Sequence, residues 1–149
     1  MNTPVRIECH RPGAPGLRLL RLDQVKQLLD QNSFWAQGRE RAQLKRMLRG
    51  SQAVVTAWSA RQLVGIGRAT SDGAYRAVLW DVVVSGEHQG QGIGRRIVET
   101  LLTSPPLAGV ERVYLMTTNS SGFYRQLGFS RADSQELLLL QPFSGSESG

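Results

Sequence analysis

The stretch from Leu79 to Leu102 limits most tightly how this chain can fold. Val78 to Val84 is almost wholly apolar and rich in β-branched residues on both faces, the pattern of an interior strand. From Ile93 the spacing changes. Ile93, Ile97 and Leu101 recur every four residues with Val98 and Leu102 beside them, while Arg95, Arg96, Glu99 and Thr100 fall opposite. That spacing predicts an amphipathic helix with one buried stripe. Between strand and helix lie Gly90, Gly92 and Gly94, alternating with Gln91 and Ile93.

Glycines permit positive φ and let a ligand come close to the backbone. Backbone N–H groups converging at a helix N-terminus form an anion site, so a phosphate-bearing ligand is the natural occupant. The run lacks the Gly-Lys-Ser/Thr ending of a P-loop. It also departs from G-x-G-x-x-G, because Gly90 opens Gly-x-Gly-x-Gly and Arg95 follows. Gln89-Gly90-Gln91-Gly92-Ile93-Gly94, preceded by a strand ending in Val82-Val83-Val84, instead resembles the acetyl-CoA pyrophosphate loop of the GNAT superfamily of N-acetyltransferases, Gln/Arg-x-x-Gly-x-Gly/Ala. The resemblance implies that Val82, Val83 and Val84, with Gln89, Gly90, Gln91, Gly92, Ile93, Gly94 and Arg95, bind acetyl-CoA as cosubstrate. It implies an α/β (α+β) fold: a mixed, largely antiparallel central sheet flanked by helices, with a splayed pair of central strands that admits the pantetheine arm.

A chain of 149 residues suits a single domain with a sizeable core. No apolar run approaches the roughly 18 residues of a membrane span, and no targeting segment is visible, so no membrane partner is expected. Cys9 is the only cysteine, which excludes an intrachain disulfide and makes a reducing cytoplasm the simple expectation. Lys plus Arg number 18 against 12 acids, a net charge of +6. Nucleic-acid binding is one reading of that balance. The arginines are scattered, however, and the densest group (Arg39, Arg41, Lys45, Arg46, Arg49) has no interleaved aromatics, so no nucleic-acid partner is expected. An anionic cofactor also benefits from a positive field. A homodimer stays open.

Residues 1–16 carry three prolines and two glycines and read as mostly irregular, with alternation at Val5–Cys9 allowing an edge strand. A first strand is expected over Leu17–Arg21, then a helix from an Asp23 N-cap through Leu29 with Val25, Leu28 and Leu29 buried. Asn32 to Gly38 is a loop; Arg39 to Arg49 is a helix with Leu44, Met47 and Leu48 inward. Ala53–Trp58 and Leu63–Thr70 pair as a hairpin across Ser59–Gln62. Tyr75–Val84 is the central strand. After a helix stop at Ser104-Pro105-Pro106 come a strand over Glu111–Met116, a short helix over Asn119–Leu127 closed by Gly128, and a last strand over Gln135–Leu140. This order is also the GNAT order, so the N-acetyltransferase domain is expected over 17–141, with 142–149 a flexible tail.

Phe123-Tyr124-Arg125-Gln126-Leu127-Gly128-Phe129 resembles the GNAT signature Phe-Tyr-x-x-x-Gly-Phe, in which the tyrosine hydroxyl lies near the coenzyme A sulfur. When an amine attacks the acetyl carbonyl, a thiolate must leave, and a phenol there donates it a proton. Tyr124 is therefore the candidate general acid and a cofactor contact, while Phe123 and Phe129 read as packing. The sequence departs from the family twice. Thr117 stands where many members carry a cofactor-binding asparagine; Asn119, two residues on, is a weaker candidate or a helix cap. Val78 stands where several members carry a glutamate base. Asp81 is the only ionisable residue between Val78 and Val84, and strand alternation puts it on the face of Leu79 and Val83. It reads either as a buried base with a raised pKa, as a binder of a cationic amine, or as a structural carboxylate at a bulge.

His10, His88 and Cys9 show no metal-ligand spacing, so no metal is expected. His88 reads as a surface loop residue, and Trp58 and Trp80 as core. Phe34 and Trp35 fall in the loop that borders the acceptor site in GNAT folds, and read either as an aromatic lining or as a hydrophobic staple. Leu79-Trp80-Asp81-Val82-Val83-Val84 with the two motifs is similar to the plant and cyanobacterial serotonin-type, arylalkylamine N-acetyltransferases. The implied partner is a small-molecule amine acceptor, with transfer by direct attack in a ternary complex. The alternatives are a protein lysine or N-terminal acceptor, and a non-catalytic acyl-CoA-binding sensor.

Overall fold

The hairpin across Ser59–Gln62 is the spine of the sheet. The computed structural model describes residues 3–11 and 21–142. Two compact units result, Met1–Met116 and Thr117–Gly149. In the first, β2 (Ala53–Ser59) and β3 (Gln62–Ser71) pair antiparallel with a one-residue irregularity at Ala57/Trp58. The alternation at the N-terminus forms β1 (Val5–His10), antiparallel to β2. On the other side β4 (Arg76–Val84) pairs antiparallel with β3, and β5 (Arg112–Leu115) pairs parallel with β4. Among the described residues this is a five-stranded sheet in the order β1-β2-β3-β4-β5.

Helices cover both faces. The stripe Val25, Leu28 and Leu29 on α1 (Leu22–Asn32) and Leu44 and Leu48 on α2 (Arg41–Arg49) packs against Val54, Ile66 and Val83 of the sheet. On the opposite face α3 (Ile93–Thr103) buries Ile93, Ile97, Val98 and Leu101 completely or nearly so. Gly65 and Gly67 allow that approach. A Cβ on Gly67 would stand 2.6 Å from Ile97 Cγ2 and 3.2 Å from Leu101 Cδ1, and one on Gly65 would stand 2.9 Å from Ile97 Cδ1. Each fully buried aliphatic chain of this stripe is worth roughly 1.5–3 kcal/mol.

Several boundaries differ from expectation. Asp23 lies in the first turn of α1, whose N-cap is Arg21. Helix α2 starts at Arg41 behind Glu40, which leaves Arg39 in the loop. Ser104 ends α3, yet Pro105 opens a further short turn, α4 (Pro105–Ala108), because proline is tolerated in a first turn where its missing N–H is not needed. The strand expected over Leu17–Arg21 lies, apart from Arg21, outside the described residues.

In the second unit α5 (Ser121–Gln126) ends in a Schellman closure: Phe129 N–H bonds Tyr124 O at 3.1 Å, Gly128 N–H bonds Arg125 O at 3.1 Å, and Gly128 takes φ +99°. The expected last strand is a correction. Gln135–Leu140 joins no ladder, and Leu137, Leu138, Leu139 and Leu140 are 75–85% exposed. Strand propensity stabilises only where a neighbouring strand satisfies the backbone and packs the side chains.

Candidate active site

Strand β4 loses a neighbour halfway along. Arg76–Leu79 pair with Arg112–Leu115, but Trp80 to Val84 continue past the end of β5 with β3 as their only ladder partner among the described residues. This is the splay that the fold class implies, set at the last strand of the described sheet rather than between two interior ones. Val82 points toward α3, near Gly67, and Val83 is buried on the α1–α2 face. Val84 O accepts a hydrogen bond from Gln89 Nε2 at 3.2 Å, so Gln89 folds the loop back on the strand that leads into it.

The loop then delivers Gly90 at φ +80° and Gly92 at φ +78°, and a Cβ at either would meet nothing within 4 Å. Gly92 is the N-cap of α3 in a left-handed conformation, with no side chain capping the helix and no acid in its first turn. The amides of Ile93, Gly94 and Arg95 are therefore the open donors of that turn. Positive-φ glycines, empty space above them and an uncapped N-terminus fit the pyrophosphate of acetyl-CoA. Arg95 pairs with Glu99 at 2.7 Å, and Arg96 reaches Val5 O at 3.1 Å. His88, expected at the surface, is half-buried in the turn Gly86–His88, and its Nδ1 is buried with no hydrogen-bond partner among the described residues.

Asp81 is where expectation and structure part. Between Ile66 and Arg68 the β3–β4 register slips, so that Gly67 faces both Asp81 and Val82 across a bulge. Asp81 takes φ +52° there. The extra residue breaks strict alternation and turns its side chain toward Arg68 and Trp80, away from Leu79. The carboxylate is 6% exposed and fully engaged. Trp35 Nε1 donates to Oδ1 at 2.8 Å, while Arg39 Nη1 and Arg68 Nε donate to Oδ2 at 2.9 and 2.8 Å. Burial pushes the carboxyl up, but hydrogen bonds and charge from the two arginines outweigh it and hold the pKa below the ordinary aspartate value. Of the three readings of Asp81, the base with a raised pKa is thus corrected, while a carboxylate at a bulge is what the geometry matches, bonded to side chains rather than to backbone. Asp81 is a weak base whose oxygens already hold three donors, and the two arginines leave no vacancy for a cationic amine.

In the second unit Tyr124 sits edge-on between Phe123 and Phe129, with centroids 4.9 and 5.8 Å away. Burial raises its pKa, so the phenol stays protonated at neutral pH, the form an acid needs. Asn119 is exposed; its Oδ1 accepts from Ser120 Oγ at 3.2 Å, and the N-cap of α5 is Ser120. Sequence reasoning missed Arg39 and Arg68. A signal existed for Arg68, the lone charge within β3, in a strand that pairs with the one carrying Asp81, the only acid in β4.

The described residues thus form a five-stranded mixed α/β sheet that opens beside a glycine-lined helix N-terminus. The Acetyltransferase (GNAT) family model matches residues 22–129, and the chain belongs to that family. Its fold is similar to a GNAT-family protein of Xanthomonas campestris pv. campestris (TM-score 0.77, 24% identity, 94% of this chain and 96% of that one). Among curated proteins it is 38% identical over 97 residues to "Serotonin N-acetyltransferase 2, chloroplastic" of Oryza sativa subsp. japonica, covering 62% of this chain and 48% of that protein. It is 40% identical over 70 residues to "GCN5-related N-acetyltransferase 2, chloroplastic" of Arabidopsis thaliana (46% and 27%). It is 39% identical over 70 residues to "Histone acetyltransferase TAP1" of Glycine max (46% and 30%). The chain thus spans between a quarter and a half of the length of these relatives.

Proposed function

We propose that the chain is an acetyl-CoA-dependent N-acetyltransferase that moves an acetyl group to a primary amine by direct attack in a ternary complex. The observation that carries this reading is the uncapped, glycine-lined N-terminus of α3 at the end of a strand that has shed a neighbour. Acetyl-CoA supplies an activated thioester. Val82, Val83 and Val84 offer backbone groups to its arm, and the amides from Gln89 to Arg95 hold its pyrophosphate. The acceptor nitrogen bonds to the acetyl carbon as the carbon–sulfur bond breaks. The sulfur leaves with a proton from the Tyr124 hydroxyl, which solvent restores. The proton lost by the amine passes to water, because the oxygens of Asp81 are occupied.

The acceptor in this reading is a small arylalkylamine. Support comes from the exposed Phe34–Trp35 pair and from the name of the Oryza relative. The name of the Glycine max relative favours a protein acceptor as a second reading. Against a lysine-rich peptide stand Arg41, Lys45, Arg46 and Arg49, all exposed on α2 and repelling a cationic chain. The test is thiol release from acetyl-CoA with serotonin, tryptamine, polyamines and lysine-containing peptides. Release with the arylalkylamines alone is the expected result. Release only with peptides would transfer the reading to a protein acceptor, and tight acetyl-CoA binding without release would favour a non-catalytic sensor.

A further inference from the structure

The sheet of the first unit ends at β1, whose outer edge pairs with no strand among the described residues. An open edge carries a row of unsatisfied backbone donors and acceptors, and is a template for a further strand. Edges are commonly blunted by proline, by a bulge or by charge. β1 contains no proline and runs along β2 for six residues without a register shift. Its two charged side chains, Arg6 and Glu8, are 56% and 41% exposed and of opposite sign, so they do not repel every copy of themselves.

The pairing with β2 sorts β1 onto two faces. Arg6, Glu8 and His10 stand opposite Trp58, Thr56 and Val54, on the side of α1 and α2. Val5, Ile7 and Cys9 stand opposite Ser59, Ala57 and Val55, on the side of α3, whose Arg96 reaches Val5 O at 3.1 Å. His10 is buried with Nε2 2.9 Å from Thr56 Oγ1, which anchors the end of the strand. Arg6 Nε meets Glu8 Oε1 at 2.8 Å, two residues along one face. The guanidinium keeps further donors. Among the described residues, Glu8 Oε2 has only the 3.9 Å approach of His10 Nε2.

This edge is complementary to itself. Antiparallel pairing about Ile7 sets Ile7 opposite the second copy's Ile7, Arg6 opposite its Glu8, and Val5 opposite its Cys9. Each charge then meets an opposite one along its own strand and another across the junction. A slip of two residues sets Arg6 against Arg6, or Glu8 against Glu8. A slip of one residue sets the charged face of one strand against the apolar face of the other. One register is accepted and its neighbours are rejected. We propose that β1 is a homodimer interface, pairing antiparallel with β1 of a second copy about Ile7 into one continuous sheet of five strands from each copy. The two-fold axis closes the contact, so it makes dimers and not filaments. Six residues of edge fall short of the roughly 1,000 Å² of a lasting interface, so the dimer is reversible and half-formed at roughly 10–100 µM. The pairing does not depend on the acetyl-transfer reading.

The test is sedimentation of the full chain over a concentration series, for wild type, Arg6→Glu, Glu8→Arg and the double exchange. Each single reversal sets like charges opposite each other and is expected to weaken the dimer about tenfold or more. The double exchange restores the alternation and should return the dissociation constant to within about threefold of wild type. Circular dichroism shows whether each variant is folded. Mild oxidation then reads the register. Opposite residues have Cα atoms about 4.5–5.5 Å apart, within reach of a disulfide, whereas the two Cys9 residues are offset by roughly 13 Å along the strands. Val5→Cys should therefore cross-link to the second copy's Cys9, and Ile7→Cys combined with Cys9→Ser should cross-link to itself. These two variants keep the proposal testable should a charge reversal not fold. A wild type still monomeric at about 1 mM, a dimer unmoved by either reversal, or a double exchange that fails to restore it would each overturn the proposal. So would cross-linking of the wild-type dimer through Cys9, or its absence in both cysteine variants. A dimer that ignores the reversals would meet elsewhere, as at the exposed Leu137–Leu140.

Discussion

At Asp81 ionisation is settled by neighbours rather than by burial. The folded pKa lies below the unfolded one, so the stability it contributes is fully present above the ordinary aspartate value, about 3.9, and is lost as pH falls from there through the lower folded value. Melting temperature against pH is therefore expected to fall more steeply in acid for wild type than for Asp81→Asn. At neutral pH that variant should lose less than the roughly 3–5 kcal/mol of a fully buried broken pair, because the Arg39 side chain is still 32% exposed. Gly92 has a different constraint. Its φ of +78° is strained for any β-branched residue, and the space above it is where a phosphate would approach, so Gly92→Val should abolish acetyl-CoA binding by calorimetry. Tyr124→Phe keeps the ring contacts and removes the proton. Turnover should fall about 10-fold or more with acetyl-CoA affinity little changed, and equal turnover would return Tyr124 to packing.

Among the elements, α3 and β3 depend on each other through the absence of side chains. Gly67→Ala would bring a methyl within 2.6 Å of Ile97, which is fully buried and has nowhere to go. A loss of roughly 1–3 kcal/mol in denaturant unfolding is expected, the range of overpacked cores. Because α3 carries at its N-terminus the glycine turn proposed to hold the pyrophosphate, the same variant should also weaken acetyl-CoA binding; a destabilised protein with full affinity would separate packing from site. The strand–loop–helix from Leu79 to Leu102 was legible because each part satisfies a local rule: apolar run, glycine turn, four-residue period. Gln135–Leu140 obeyed a local rule too and formed no strand, since pairing is decided by what lies beside a segment rather than within it.

For the whole molecule, the net charge of +6 is a field rather than a site. Association of the polyanionic acetyl-CoA should slow several-fold as ionic strength rises, measured by stopped flow, while the off-rate changes less. The sequence by itself determined the family-level outline: the hairpin, the opposed helices, the glycine turn and the motif around Tyr124, all encoded in short-range periodicity and turn chemistry. Only the tertiary structure decided what Asp81 is. One extra residue at a bulge reverses the face a side chain takes, and two arginines distant in sequence then fix its charge. A period of two carries no record of a bulge, and an aspartate's pKa carries no record of its partners until the chain brings them together.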